Sequence, residues 1–130
     1  DLGLHEAIEW QGHEFEKRTG IHFEFEISFG NVELDMERST AIFRIFQETL
    51  TNILRHAKAK NINVRMQEKN GMVTVEIQDD GIGITLDQVS DSKSLGLLGM
   101  RERAGAWKGD VQIQGAQNQG TTVTINIQRN

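Results

Sequence analysis

Residues 73–84 read VTVEIQDDGIGI. Val73, Val75 and Ile77 alternate with polar residues, the pattern of a strand with one buried face. Asp79 keeps that register. A strand persisting this far turns the Asp79 carboxylate toward the core and Asp80 outward. A buried carboxylate without a partner is costly, so Asp79 requires one. A ligand amino group would serve, and so would an Asx-type turn in which Asp79 caps its own backbone. Gly81 and Gly83 then let the backbone pass close to a ligand or adopt φ > 0. On this stretch alone both readings stand.

Working outward, four more segments alternate with period 2. They are Ile21, Phe23, Phe25, Ile27 and Phe29; Ile62, Val64 and Met66; Val111 and Ile113; and Val123, Ile125 and Ile127. Asn70-Gly71 between the second and third of the five strands is the strongest short hairpin signal. Three segments read as helices. Residues 4–18 place Leu4, Ile8 and Phe15 on one side. Residues 36–57 carry a broad apolar stripe of Ile42, Ile45, Phe46, Ile53 and Leu54. Residues 97–107 follow a glycine-containing loop and end near Gly109. Five one-sided strands and three helices predict a two-layer α/β sandwich, with the helices on one face of the sheet.

The totals agree with a single domain over residues 1–130. The chain is 37% hydrophobic and 25% charged, an ordinary globular composition. Its net charge of -5 supplies no positive field for nucleic acid as the main partner. The absence of cysteine excludes disulfides and thiolate metal sites. No apolar run approaches the ~20 residues needed to span a bilayer, so no membrane contact is expected of these residues. The opening DLGL, without an initiator Met, suggests a piece of a longer protein, and a cytoplasmic setting is expected. The longer parent could still carry a membrane anchor.

The helix FRIFQETLTNILRHA (43–57) carries a polar stripe. At 100° per residue, Glu48, Asn52, Arg55 and His56 fall within about a quarter of the circumference, beside the apolar stripe. Groups placed there sit at the rim of the core. The Asn52 amide oxygen suits Mg²⁺, which prefers oxygen ligands and keeps several waters. Glu48, one turn earlier, could polarise a water or a hydroxyl, or complete a metal shell. Arg55 and His56 could meet phosphate oxygens or a ribose. A solvated helix face with a Glu–Asn pair is the plainer alternative. Two further glycine stretches follow. SLGLLGMRERAGAW (94–107) sets Gly96 and Gly99 before a helix, where free N–H groups suit an anion. QGTT (119–122) opens the last strand, and the polar TLDQVSDSK (85–93) reads as a flap.

The order of polar helix stripe, hairpin, DxGxG, flap, GxxG-helix and GTT-strand resembles the ATP-binding catalytic domain of sensor histidine kinases. That domain belongs to the Bergerat-fold (GHKL) superfamily, a five-stranded mixed sheet with helices on one face. Glu48, Asn52, Arg55 and His56 match its N box; Asp79, Gly81 and Gly83 its G1 box; Gly96 and Gly99 its G2 box. The wording ETLTNILRHA, DDGIGI and GLLGMRERA is most similar to the nitrate/nitrite-sensor-like subfamily. Residues 1–20 look like the helix that follows that subfamily's dimerisation and phosphoacceptor helices.

The resemblance implies ATP and Mg²⁺ as cofactors. Asp79 would accept the adenine amino hydrogen and select adenine over guanine. Asn52 would hold Mg²⁺, with Glu48 in metal-shell or proton chemistry and Arg55 and His56 toward phosphates or sugar. Gly81, Gly83, Leu95, Gly96, Gly99 and Met100 would line the nucleotide, and Thr121 or Thr122 would sit near the adenine. The γ-phosphate would go to a histidine on the upstream helices and then to a response regulator. Those helices and the regulator are the expected protein partners, and the isolated chain is expected to be a monomer with little turnover. Three departures stand out. Ser94 replaces the first glycine often seen in the G2 box. Lys108-Gly109 replaces a Gly-Gly pair. None of His5, His13, His22 and His56 lies in the acceptor motif. A Bergerat-fold serine protein kinase and a nucleotide-binding interaction module without transfer activity are the competing readings.

Overall fold

The computed structural model describes residues 3–28, 34–83, 96–115 and 117–129. The elements are α1 (Leu4–Thr19), β1 (His22–Ile27), α2 (Met36–Asn52), a π-helical turn (Ile53–Ala57), β2 (Asn61–Lys69), β3 (Met72–Asp79), α3 (Leu97–Gly105), β4 (Asp110–Gly115) and β5 (Thr121–Gln128). Phe29, the flap at 85–93, Ser94 and Leu95 lie outside the described residues.

The sheet runs in the order β1-β2-β3-β5-β4. β1 is parallel to β2, and every other pair is antiparallel, so the sheet is mixed. β1 and β2 are parallel neighbours because α2 crosses over between them. β2 and β3 form the expected hairpin. Asn70 and Gly71 both have positive φ (55° and 76°), the requirement of a type I′ turn.

The alternation decides which face is buried. Phe23, Ile62, Val64, Met66, Val73, Val75, Ile77, Ile125 and Ile127 all point to the helical side. The opposite face is polar and cross-linked. Thr74 donates to Asn126 Oδ1 at 2.8 Å, and Arg65 reaches Glu26 (2.9 Å) and Glu76 (3.7 Å) across three strands. The helices complete the core with Ile8 and Phe15 from α1, Ile42, Ile45, Phe46 and Leu50 from α2, and Leu97, Met100 and Ala104 from α3.

α1 is anchored through Phe15, whose ring meets Phe23 of β1 edge to face at 5.6 Å. Phe15→Leu keeps an apolar group but loses that geometry and leaves a small void. We expect a loss of about 1–2 kcal/mol, read as a lower urea midpoint at unchanged slope.

The continuous α-helix expected over 36–57 is corrected. Its α-helical part ends at Asn52, and the chain winds more loosely through Ile53–Ala57 before Lys58 (φ 52°) ends it. An i→i+5 turn advances each residue by less than 100°. Leu54 therefore leaves the apolar stripe and is 53% exposed, while Ile53 stays buried.

Candidate functional site

Asp79 is the last residue of β3 and is 3% exposed, so the alternation does carry its carboxylate inward. The carboxylate has a local partner: the Gly81 amide donates to Oδ1 at 2.8 Å. The Asx-type turn is thus present, and it uses only part of the acceptor capacity of a carboxylate. Directly across the ladder lies Thr121, the first residue of β5. Thr121 is 8% exposed, and its Oγ1 is buried without a hydrogen-bond partner among the described residues.

Burial pushes the Asp79 carboxyl above the ordinary carboxylate range. The amides of Gly81 and Thr121 oppose the rise, and the neighbouring Asp80 charge adds to it. Asp80 behaves oppositely. Desolvation raises it, but the Asn61 side chain and the Asn61 and Lys60 amides together outweigh that and hold it low. Two adjacent carboxylates therefore have separate tasks: Asp80 pins the start of β2, and Asp79 faces the interior.

A raised folded-state pKa means that the unfolded chain gives up the Asp79 proton first as pH rises above 3.8. This component of stability is present at low pH and is lost as pH passes through the raised value. Asp79→Asn removes it. The variant-minus-wild-type unfolding free energy should therefore become more positive as pH rises above 3.8 through the raised value. Urea titrations at a series of pH values check this; a flat or falling difference contradicts it.

Asp79 and Thr121 form the floor of a recess between the helical layer and the sheet. Thr49, Asn52, Ile53, His56 and Ala57 line it from α2 and the π turn, and Ile113 and Val123 from β4 and β5. The walls are mainly apolar and the floor carries a few polar groups, the usual build of a small-ligand site. Thr49, Ile53, Ala57, Ile113 and Val123 were not among the expected site residues. By their spacing alone Ile53, Ile113 and Val123 belong to the core pattern.

Gly81 serves the scaffold. A Cβ on Gly81 would fall 2.1 Å from the Ala57 carbonyl oxygen. That close approach lets the Ile82 amide donate to the same oxygen at 2.7 Å, tying the end of β3 to the end of the π turn. Gly83 has a positive φ of 80° and is half-buried.

The remaining expected residues divide. Asn52 and His56 share the recess with Asp79. Glu48 lies outside its lining, with its carboxylate against Gly96 at the start of α3. Gly99 is half-buried in the first turn of α3. Met100 is fully buried, its sulfur 3.9 Å from the Thr49 hydroxyl. Arg55 is not brought together with this group. The looser winding carries it away from Asn52 while keeping His56 near, and it lines a separate groove with Phe15, Arg18 and Leu54. Thr122 is also separated. It pairs with Gln78 and Gln114 and follows the parity of the opposite sheet face. Leu95 lies outside the described residues.

Glu48 and Asn52 stand one helical turn apart on α2 and offer a carboxylate and an amide oxygen. This donor set fits a hard cation such as Mg²⁺, which takes one or two carboxylates and completes its shell with water and phosphate. No cluster of three or more His, Cys, Asp or Glu exists among the described residues, so a dedicated protein cage is not what they provide.

The fold and the recess define a two-layer ATPase domain of the Bergerat type. The family model for histidine kinase-, DNA gyrase B- and HSP90-like ATPases matches residues 37–130, and the chain belongs to that family. Two curated relatives are similar over 127 residues at 35% identity, each covering 98% of this chain. They are the oxygen sensor histidine kinase NreB of Staphylococcus carnosus and the signal transduction histidine-protein kinase/phosphatase DegS of Brevibacillus brevis. The matched region is 37% and 33% of their lengths, so this chain spans about a third of either.

Solved structures agree on the fold. The histidine kinase domain of an Erythrobacter litoralis blue-light activated histidine kinase superposes with a TM-score of 0.79 at 23% identity. That match covers 98% of this chain and 62% of the other. The Acinetobacter baumannii histidine kinase AdeS gives 0.76 at 19%, covering 98% and 64%.

Proposed function

We propose that this chain binds Mg²⁺–ATP and is the catalytic module of a two-component sensor histidine kinase. In this reading residues 1–130 form one domain. It passes the γ-phosphate to a histidine on dimerisation helices outside these residues, for relay to a response regulator. The observation that carries the reading is the Asp79–Thr121 pair at the floor of the recess, next to Asn52. Adenine presents a donor amino group beside an acceptor ring nitrogen. The Asp79 carboxylate matches the first, and the Thr121 hydroxyl matches the second directly or through water. Guanine presents an acceptor and a donor in reversed order, so its oxygen would face the carboxylate.

Glu48 and Asn52 are the residues that would hold Mg²⁺, which neutralises phosphate charge when bound. The apolar walls would exclude water from the base, and His56, which lines the same recess, would face the sugar and phosphates. None of the chain's four histidines is proposed as acceptor, so the module alone should bind ATP with little turnover and behave as a monomer. No helix among the described residues is long and apolar enough to cross a membrane. A cytoplasmic setting remains part of this proposal, since ATP is its substrate.

The test is to incubate the parent protein with γ-labelled ATP and follow the protein-bound phosphate through acid and base. A phosphohistidine is lost in acid and kept in base. Acid-stable label would support the serine-kinase alternative instead.

A further inference from the structure

Glu48 and Gly96 meet across the α2–α3 interface. Gly96 is the N-cap of α3, with φ 64° and no side-chain cap hydrogen bond. A Cβ placed on it would fall 2.6 Å from Glu48 Oε1, 3.1 Å from Cδ and 3.3 Å from Cγ. The end of the Glu48 side chain therefore occupies the volume that any side chain at 96 would need. α3 is not free to retreat. Leu97 and Met100 are buried, and Thr49, the residue after Glu48, points its hydroxyl at the Met100 sulfur. The carboxylate also lies beside the positive end of α3, where negative charge is favoured.

We propose that Gly96 is a positioning residue for Glu48. By carrying no Cβ, it leaves the seat that holds the Glu48 carboxylate on the side of α2 that bears Asn52. The inference rests on the reading of Glu48 and Asn52 as oxygen donors toward Mg²⁺. A side chain at 96 displaces the carboxylate, because Glu48 is a flexible side-chain end while α3 is fixed by its buried residues. The metal then loses a donor, and the adenine contacts at Asp79, in the sheet layer, stay intact. Gly96 accordingly governs the metal-dependent part of nucleotide affinity.

The experiment titrates ATP calorimetrically, in excess Mg²⁺ and in EDTA, into the wild-type chain, Gly96→Ala, Glu48→Gln and the double variant. The gain in affinity from Mg²⁺ should fall roughly ten-fold in Gly96→Ala, the size of effect seen when a ligand's support is removed. The loss in EDTA should be clearly smaller than the loss in Mg²⁺ for the same variant, because only the metal-bound complex uses the seat of the Glu48 carboxylate. Glu48→Gln should lose a similar factor, and the double variant no more than either single one. Gly96→Asn is the backbone control. Asn tolerates φ > 0 yet carries a Cβ, so it should behave like Ala. Equal losses in Mg²⁺ and EDTA, additive losses in the double variant, or a wild-type-like Gly96→Asn would each overturn the proposal. A wild-type chain that binds no ATP in either buffer would overturn the site reading on which it rests.

Discussion

Asp79→Asn is expected to weaken ATP binding by about 2–4 kcal/mol, or roughly 30- to 700-fold. The Gly81 amide holds one carboxylate oxygen at 2.8 Å, so the Asn oxygen will be kept for that bond. The Asn amino group is then left toward the base. A charge-assisted acceptor becomes a donor facing the donor edge of adenine, and two buried donors are left without partners. The same swap removes the repulsion felt by the guanine oxygen, so preference for ATP over GTP should shrink as ATP affinity falls. The nucleotide-free variant should be no less stable at neutral pH, because it no longer buries a charge. Calorimetric titration with both nucleotides, with a denaturant curve on the same samples, separates the two effects. Unchanged ATP affinity in a folded variant would remove Asp79 from the site.

Gly120→Ala should be the most damaging single change to the fold near the site, at about 3–4 kcal/mol. Gly120 has φ 82°. A Cβ there would lie 2.0 Å from the Asp79 carbonyl oxygen, 2.9 Å from its carbon and 3.2 Å from Asp80 Cα. All three are backbone atoms, so no side chain can swing aside. The matched control is Gly71→Ala in the hairpin, with φ 76° and nothing within 4 Å of the added methyl. It carries only the left-handed backbone penalty, about 1–2 kcal/mol. The difference between the two in urea midpoint isolates the steric part. Equal losses would mean that β5 can shift away from Asp79, which the ladder pairing of Asp79 with Thr121 argues against.

Most of the sheet was legible because a period of two is a local signal. The inward residues of β2, β3 and β5 follow from alternation alone, and so does the inward turn of Asp79. The same parity places Thr121 with Val123, Ile125 and Ile127 and sends Thr122 to the other face. The helix was less legible. Nothing in ILRHA announces an i→i+5 turn, which arises where Ala57 must meet Gly81 and Ile82. Assuming 100° per residue through it misplaced Leu54 and grouped Arg55 with His56. The tertiary role of Gly81, packed on the Ala57 backbone, depends on a chain segment 24 residues earlier and cannot be read locally. The apolar walls at Ile113 and Val123 were hidden for a similar reason: a core residue and a recess-lining residue carry the same pattern.

The central claim is that the recess floored by Asp79 and Thr121 selects an adenine nucleotide. The most direct measurement is thermal unfolding of the chain in equal, saturating Mg²⁺–ATP and Mg²⁺–GTP. A ligand at 100 times its Kd adds roughly 2.7 kcal/mol, several degrees for a domain of this size. That shift is expected with ATP, and little or none with GTP. Equal shifts with both nucleotides would contradict it.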